Sequence, residues 1–139
     1  MQEVQQEFGQ EIANYVEEVT DDKSLSPSER KKLQIINAPT KSIGAAHIKL
    51  ADKYDNCLDL TQNPPVGWSI ERIQGYFLWS RTVVRAVAVN TEVATELKSK
   101  LEIIFAGCFY VNGEKFNCIP DGDEQTLLQR YYASLDAKR

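Results

Sequence analysis

Residues His47 to Leu60 read HIKLADKYDNCLDL, and wound as an α-helix at about 100° per residue they divide into two faces. His47, Leu50, Ala51, Tyr54, Cys57 and Leu58 fall in one apolar arc. Asp52, Asp55, Asn56 and Asp59 share the opposite side. Asp52 and Asn56 stand four residues apart, one above the other, where a carboxylate can ligate a divalent metal and an amide can hold a substrate oxygen or a water. Periodicity alone is equally satisfied by a solvated acidic face.

The segments around this helix are also read as helices. Ser26-Pro27-Ser28-Glu29 is a capping box with proline at the first helical position, and Pro39 ends that helix near Asn37. Upstream, Met1 to Phe8 has the look of a helix end, and Ile12, Tyr15, Val16 and Val19 follow at amphipathic spacing. Downstream, Asn63-Pro64-Pro65-Val66-Gly67 forms a rigid turn, and Ser69 caps a long helix burying Ile73, Phe77, Val84 and Val87. A further helix from Thr91 to Phe105 presents Val93, Leu97, Leu101, Ile104 and Phe105 to the core, with Gly107 at its left-handed terminus. Beyond it, Asn112-Gly113 between two β-prone runs signals a hairpin. Leu127, Leu128, Tyr131, Tyr132 and Leu135 mark a last amphipathic helix. Trp68 and Trp79 read as packing anchors.

Composition bounds the function. A chain of 139 residues suits one domain. A net charge of −4 and a pI near 5.1 argue against a nucleic acid or an anionic membrane as the main partner, since both require clustered cations. No run of eighteen apolar residues exists and the polar start MQEVQQEFGQ resembles no targeting peptide, so a cytoplasmic setting is expected. Cys57, Cys108 and Cys118 are odd in number and read as reduced thiols.

The run IKLADKYDN, together with FGQEIANYVEEVTDDKSL, ERKKLQ and PVGWSIERIQGYFLW, resembles the RelA/SpoT-type (p)ppGpp hydrolases of the HD metal-hydrolase superfamily, and their metazoan branch in particular. The resemblance spans residues 1 to about 105. It implies an all-α, HD-domain-like helical bundle lacking its first helices, with residues 1–106 as the C-terminal part of the hydrolase domain. Residues 107–139 are then a tail outside the family pattern, comprising a short hairpin and a helix.

The resemblance further implies hydrolysis of ppGpp to GDP and pyrophosphate with Mn²⁺ as cofactor. Asp52 matches a metal ligand and Asn56 a substrate-contacting catalytic position. Arg72 and Tyr76 match residues offered to the nucleotide. Where the family has a basic residue this chain has Pro27, with Lys23 nearby as a candidate replacement. The other metal ligands of the family are a His and a His-Asp pair, and a Glu-Asp pair helps to activate water. This chain has a single histidine, His47, about 140° around its helix from Asp52, and no His-Asp dipeptide. The expectation is therefore an N-terminally truncated member, inactive by itself, because one carboxylate holds Mn²⁺ poorly against water. Two questions stay open in the sequence: whether the preferred nucleotide is ppGpp or another such as NADPH, and whether the chain is instead a non-catalytic interaction module with an exposed apolar groove for a protein partner.

Overall fold

The computed structural model describes residues 25–137. The amphipathic pattern of Ile12 to Val19 and the candidate Lys23 lie outside them. In chain order the described elements are helix α1 (Pro27–Asn37), a 3₁₀ turn (Ala38–Thr40), α2 (Ile43–Gln62), α3 (Ile70–Ala86), α4 (Glu92–Phe105), strands β1 (Cys108–Val111) and β2 (Glu114–Asn117), and α5 (Glu124–Asp136). The helical-bundle expectation holds, and the short hairpin expected around Asn112-Gly113 is present.

Each helix begins where a short polar side chain takes up an orphan backbone N–H. Ser26, Ser42, Ser69, Thr91 and Asp123 each accept from the residue three positions on. At Ser26 the reciprocal bond to Glu29 completes the capping box. The hairpin is set by Asn112 and Gly113, whose φ angles of 53° and 82° make the two-residue turn that matches strand twist. Its register pairs Phe109 with Phe116 on one face, and those rings stack at 5.7 Å.

Helix α3 is the centre of the bundle and touches α1, α2, α4 and α5. Ile73, Phe77, Val84 and Val87 are buried along it as their spacing predicts. They join Leu50, Cys57 and Leu60 of α2 and Leu101 and Phe105 of α4 in the main core. The tail belongs to this core. Phe109 is fully buried, with its ring 5.9 Å from that of Phe77, and Tyr131 and Tyr132 pack with Trp79 and Val83. Asp136 then locks α5 onto the start of α1, its carboxylate accepting from Ser28 N at 3.2 Å and from Ser28 Oγ at 2.6 Å.

Three sequence expectations require correction. Val93 is half-exposed and Ala94 is buried in its place in the first turn of α4, while Leu101 and Phe105 are buried and Leu97 and Ile104 pack on the core as expected. Gly107 has no positive φ: helix α4 ends at Ala106 in right-handed geometry and the chain passes directly into β1, so no left-handed residue is needed. On α2, Ala51 is exposed while Lys49 and Lys53 are buried, because the inner stripe runs Ala46, Lys49, Leu50, Lys53, Cys57, Leu60. At the surface, Leu33 and Ile36 of α1 and Ile43 and Ile48 of α2 stay exposed.

Gly75 is where α5 meets α3. A Cβ built there would lie 2.6 Å from Tyr131 Cγ and 2.9 Å from Tyr131 Cβ, closer than real carbon atoms approach. Gly75→Ala should therefore cost about 1–3 kcal/mol in urea denaturation and raise hydrogen exchange across α5, through overpacking against an atom next to the backbone. Burial, reinforced by the neighbouring Cys108 and Cys57, pushes the Cys118 thiol up to about 12 from an ordinary 9.0. The folded state thus keeps a proton that the unfolded chain releases. The stability contributed by Cys118 is fully present below pH 9 and is lost as pH rises through about 12. Cys118→Ala should flatten that alkaline decline in denaturation curves taken across this range.

Candidate functional site

On the outer face of α2, Asn56 Nδ2 donates to Asp52 Oδ2 at 3.2 Å, the contact that their spacing predicts. Both residues are exposed. Beside them a cavity of about 300 Å³ opens between the end of α2, the Pro64-Pro65 turn and α3, lined by Asn56, Asp59, Asn63, Pro65, Trp68 and Tyr76. The turn positions Trp68, whose backbone N–H bonds to Pro65 O at 3.2 Å after Gly67 reverses the chain at φ 91°.

An aromatic row runs inward from this cavity. The Trp68 and Tyr76 rings lie 6.3 Å apart, and those of Tyr76 and Trp79 lie 5.5 Å apart, both tilted. Burial pushes the Tyr76 phenol well above the ordinary tyrosine range, so at neutral pH it is a proton donor and not an anion. At the inner end Trp79 is 1% exposed, and its indole N–H donates to Lys31 O at 3.0 Å. The Lys31 and Lys53 ammonium groups lie 3.7 Å and 3.5 Å from its ring centroid. Burial first, and then the charges of Lys49 and Lys31, hold the Lys53 pKa well below its usual value.

Arg72 takes a different place from Tyr76 although both sit on α3. Its guanidinium carbon lies 4.1 Å from the Trp68 ring centroid. It lines a second cavity, of about 180 Å³, between α3 and α5. The structure thus gathers Asn56 and Tyr76 at one cavity, attaches Asp52 to its edge through Asn56, and sets Arg72 behind Trp68. Sequence reasoning gave Trp68 a packing role only. The signal for its position was the Pro-Pro-Val-Gly turn immediately before it.

His47 is half-buried and faces away from this site. Its Nε2 lies 2.6 Å from Thr91 Oγ1, tying α2 to the start of α4. Among the described residues no three His, Cys, Asp or Glu side chains converge as a metal site would require. With the one histidine committed elsewhere and its neighbour an amide, Asp52 lacks, among the described residues, the imidazole and carboxylate partners that a Mn²⁺ centre requires. The donor set does not fit the metal. Also among the described residues, no helix is long and apolar enough to cross a membrane.

No protein-family model matches the chain. It is 44% identical over 104 residues to the guanosine-3′,5′-bis(diphosphate) 3′-pyrophosphohydrolase MESH1 of Xenopus tropicalis, 75% of this chain and 56% of that protein. To the MESH1 protein of Drosophila melanogaster it is 47% identical over 107 residues, with the same coverage of each. To that of Homo sapiens it is 46% identical over 99 residues, 70% of this chain and 55% of the relative. A solved structure of a metazoan SpoT ortholog, described as hydrolysing ppGpp and as playing a role in starvation responses, superposes with a TM-score of 0.69 at 46% identity, covering 75% of this chain and 57% of that one. The chain spans just over half the length of these relatives.

Proposed function

Because this chain belongs, over the three quarters of its length that align, to the metazoan family of guanosine-3′,5′-bis(diphosphate) 3′-pyrophosphohydrolases, we propose that its Asn56–Tyr76 cavity is a nucleotide-binding half-site and that the 139-residue chain by itself turns over no ppGpp. The observation that carries this reading is the Asn56 amide at the mouth of a cavity walled by Trp68 and Tyr76. An aromatic wall can stack a purine, the protonated Tyr76 hydroxyl can donate, and the Asn56 side chain can pair with a sugar or phosphate oxygen.

Hydrolysis asks for more than binding. In water near neutral pH a phosphoanhydride is attacked effectively only when a nucleophile is generated beside it, and a metal ion does this by lowering the pKa of its bound water. Among the described residues, no set of side chains that could hold such an ion assembles around Asp52. Nor does Asp52 read as a sufficient general base, being exposed and engaged by Asn56. Asp52 is then an isolated metal-side carboxylate, Asn56 and Tyr76 are nucleotide contacts, and Arg72 is a guanidinium held behind Trp68 to meet phosphate. Residues 1–106 form the hydrolase-like part, and 107–139 are an added segment that packs against it.

The test has three readouts. Incubated with ppGpp and Mn²⁺, the purified chain should release pyrophosphate no faster than buffer does, and calorimetric titration of Mn²⁺ should show no micromolar binding. Guanine-nucleotide binding, followed by tryptophan fluorescence, should weaken about tenfold in Asn56→Ala, the loss of one or two hydrogen bonds to a polar ligand. Tight Mn²⁺ binding that disappears in Asp52→Ala, accompanied by turnover, would restore the chain as a complete enzyme.

A further inference from the structure

The cavity between α3 and α5 shares no lining residue with the Asn56 cavity. Its volume of about 180 Å³ falls below the roughly 300–1,000 Å³ typical of pockets that take a whole drug-sized ligand. Its polar lining is unevenly committed. Ser69 Oγ accepts from Arg72 N, Gln74 Nε2 donates to Asn117 O at 3.0 Å, and Ser134 Oγ donates to Tyr131 O at 2.7 Å.

Two guanidiniums remain. Arg72 Nε is buried and has no hydrogen-bond partner among the described residues, a costly state for a charged donor unless a ligand satisfies it. Arg130, from α5, is exposed and forms no hydrogen bond or ion pair among the described residues. Among the described residues the only acid in the lining is Glu71, so they place two cations against one anion on a chain whose net charge is −4. The planar guanidinium fork suits phosphate oxygens, and the Arg72 group lies over the Trp68 ring.

We infer that Arg72 and Arg130 form a phosphate-binding site in this cavity, taking a pyrophosphate or the diphosphate arm of a nucleotide. Arg130 belongs to the terminal helix, and the close approach at Gly75 brings that helix against α3. The site stands on its own geometry; only the source of the phosphate rests on the nucleotide reading above.

Calorimetric titration with inorganic pyrophosphate and, separately, with GDP tests it on the full 139-residue chain. Pyrophosphate should bind, Arg130→Gln should weaken it about tenfold, Arg72→Lys should weaken it by loss of the bidentate fork, and Glu71→Gln should tighten it. Arg130 is at the surface, so its variant should keep the native circular dichroism spectrum and melting curve. Absence of pyrophosphate binding by the folded chain, or binding indifferent to Arg130→Gln, overturns the inference. Arg130-dependent pyrophosphate binding without GDP binding would keep this site and remove the nucleotide reading. GDP binding that requires Asn56 but not Arg130, with no Arg130-dependent binding of pyrophosphate, would do the reverse.

Discussion

Helix α3 has to pack on four other helices, and the residue that lets the last of them in is Gly75. With hydrogen in place of a side chain there, Tyr131 of α5 settles against the α3 backbone, and the helix carrying it closes the bundle over α1. From that contact several others follow. Tyr131 and Tyr132 join Trp79 and Val83 in a second core, and Asp136 reaches Ser28 to satisfy two donors at the start of α1. The hairpin preceding α5 would be marginal as an isolated two-stranded unit. Here Phe109 is fully buried against Phe77, and Gln74 bonds to the Asn117 carbonyl, so the hairpin draws its stability from α3.

A second constraint lies along the inner stripe of α2, where Lys49 and Lys53 are 6% and 3% exposed. Burying an ammonium group is costly unless something replaces its hydration. Lys49 donates to Gln34 Oε1 at 3.1 Å. Lys53 rests on the π face of Trp79, the ring that Lys31 also approaches. Cation–π attraction offsets part of the desolvation cost, and the lowered Lys53 pKa shows that a deficit remains. The chain accepts this cost in the same layer that carries the aromatic row toward the Asn56 cavity.

The two cavities therefore flank one aromatic wall. Trp68 and Tyr76 face the Asn56 side, while Arg72 is stacked on Trp68 and opens toward α5. This division assigns binding chemistry to the described residues and leaves metal chemistry without a ligand set. A stacking surface, neutral donors and guanidiniums have the chemistry to contact a phosphorylated nucleotide. They do not generate the hydroxide that cleaves one.

Local signals determined much of this protein. Caps at Ser26 and Ser69, the Asn112-Gly113 turn and the apolar spacing of α3 and α5 depend on neighbours within a few residues, so they are legible in the chain itself. The Asp52–Asn56 contact is legible for the same reason, being one helical turn long. What the tertiary structure decided involves partners far apart in sequence. The burial of Lys53 depends on a ring at position 79, the partner of His47 is Thr91 at the start of another helix, and Arg72 and Arg130 line one cavity from two helices far apart in sequence. Helical periodicity gives the direction in which a side chain leaves its own axis. It does not state what stands opposite, and for charged groups the opposite side decides whether they are solvated, buried or left open to a ligand.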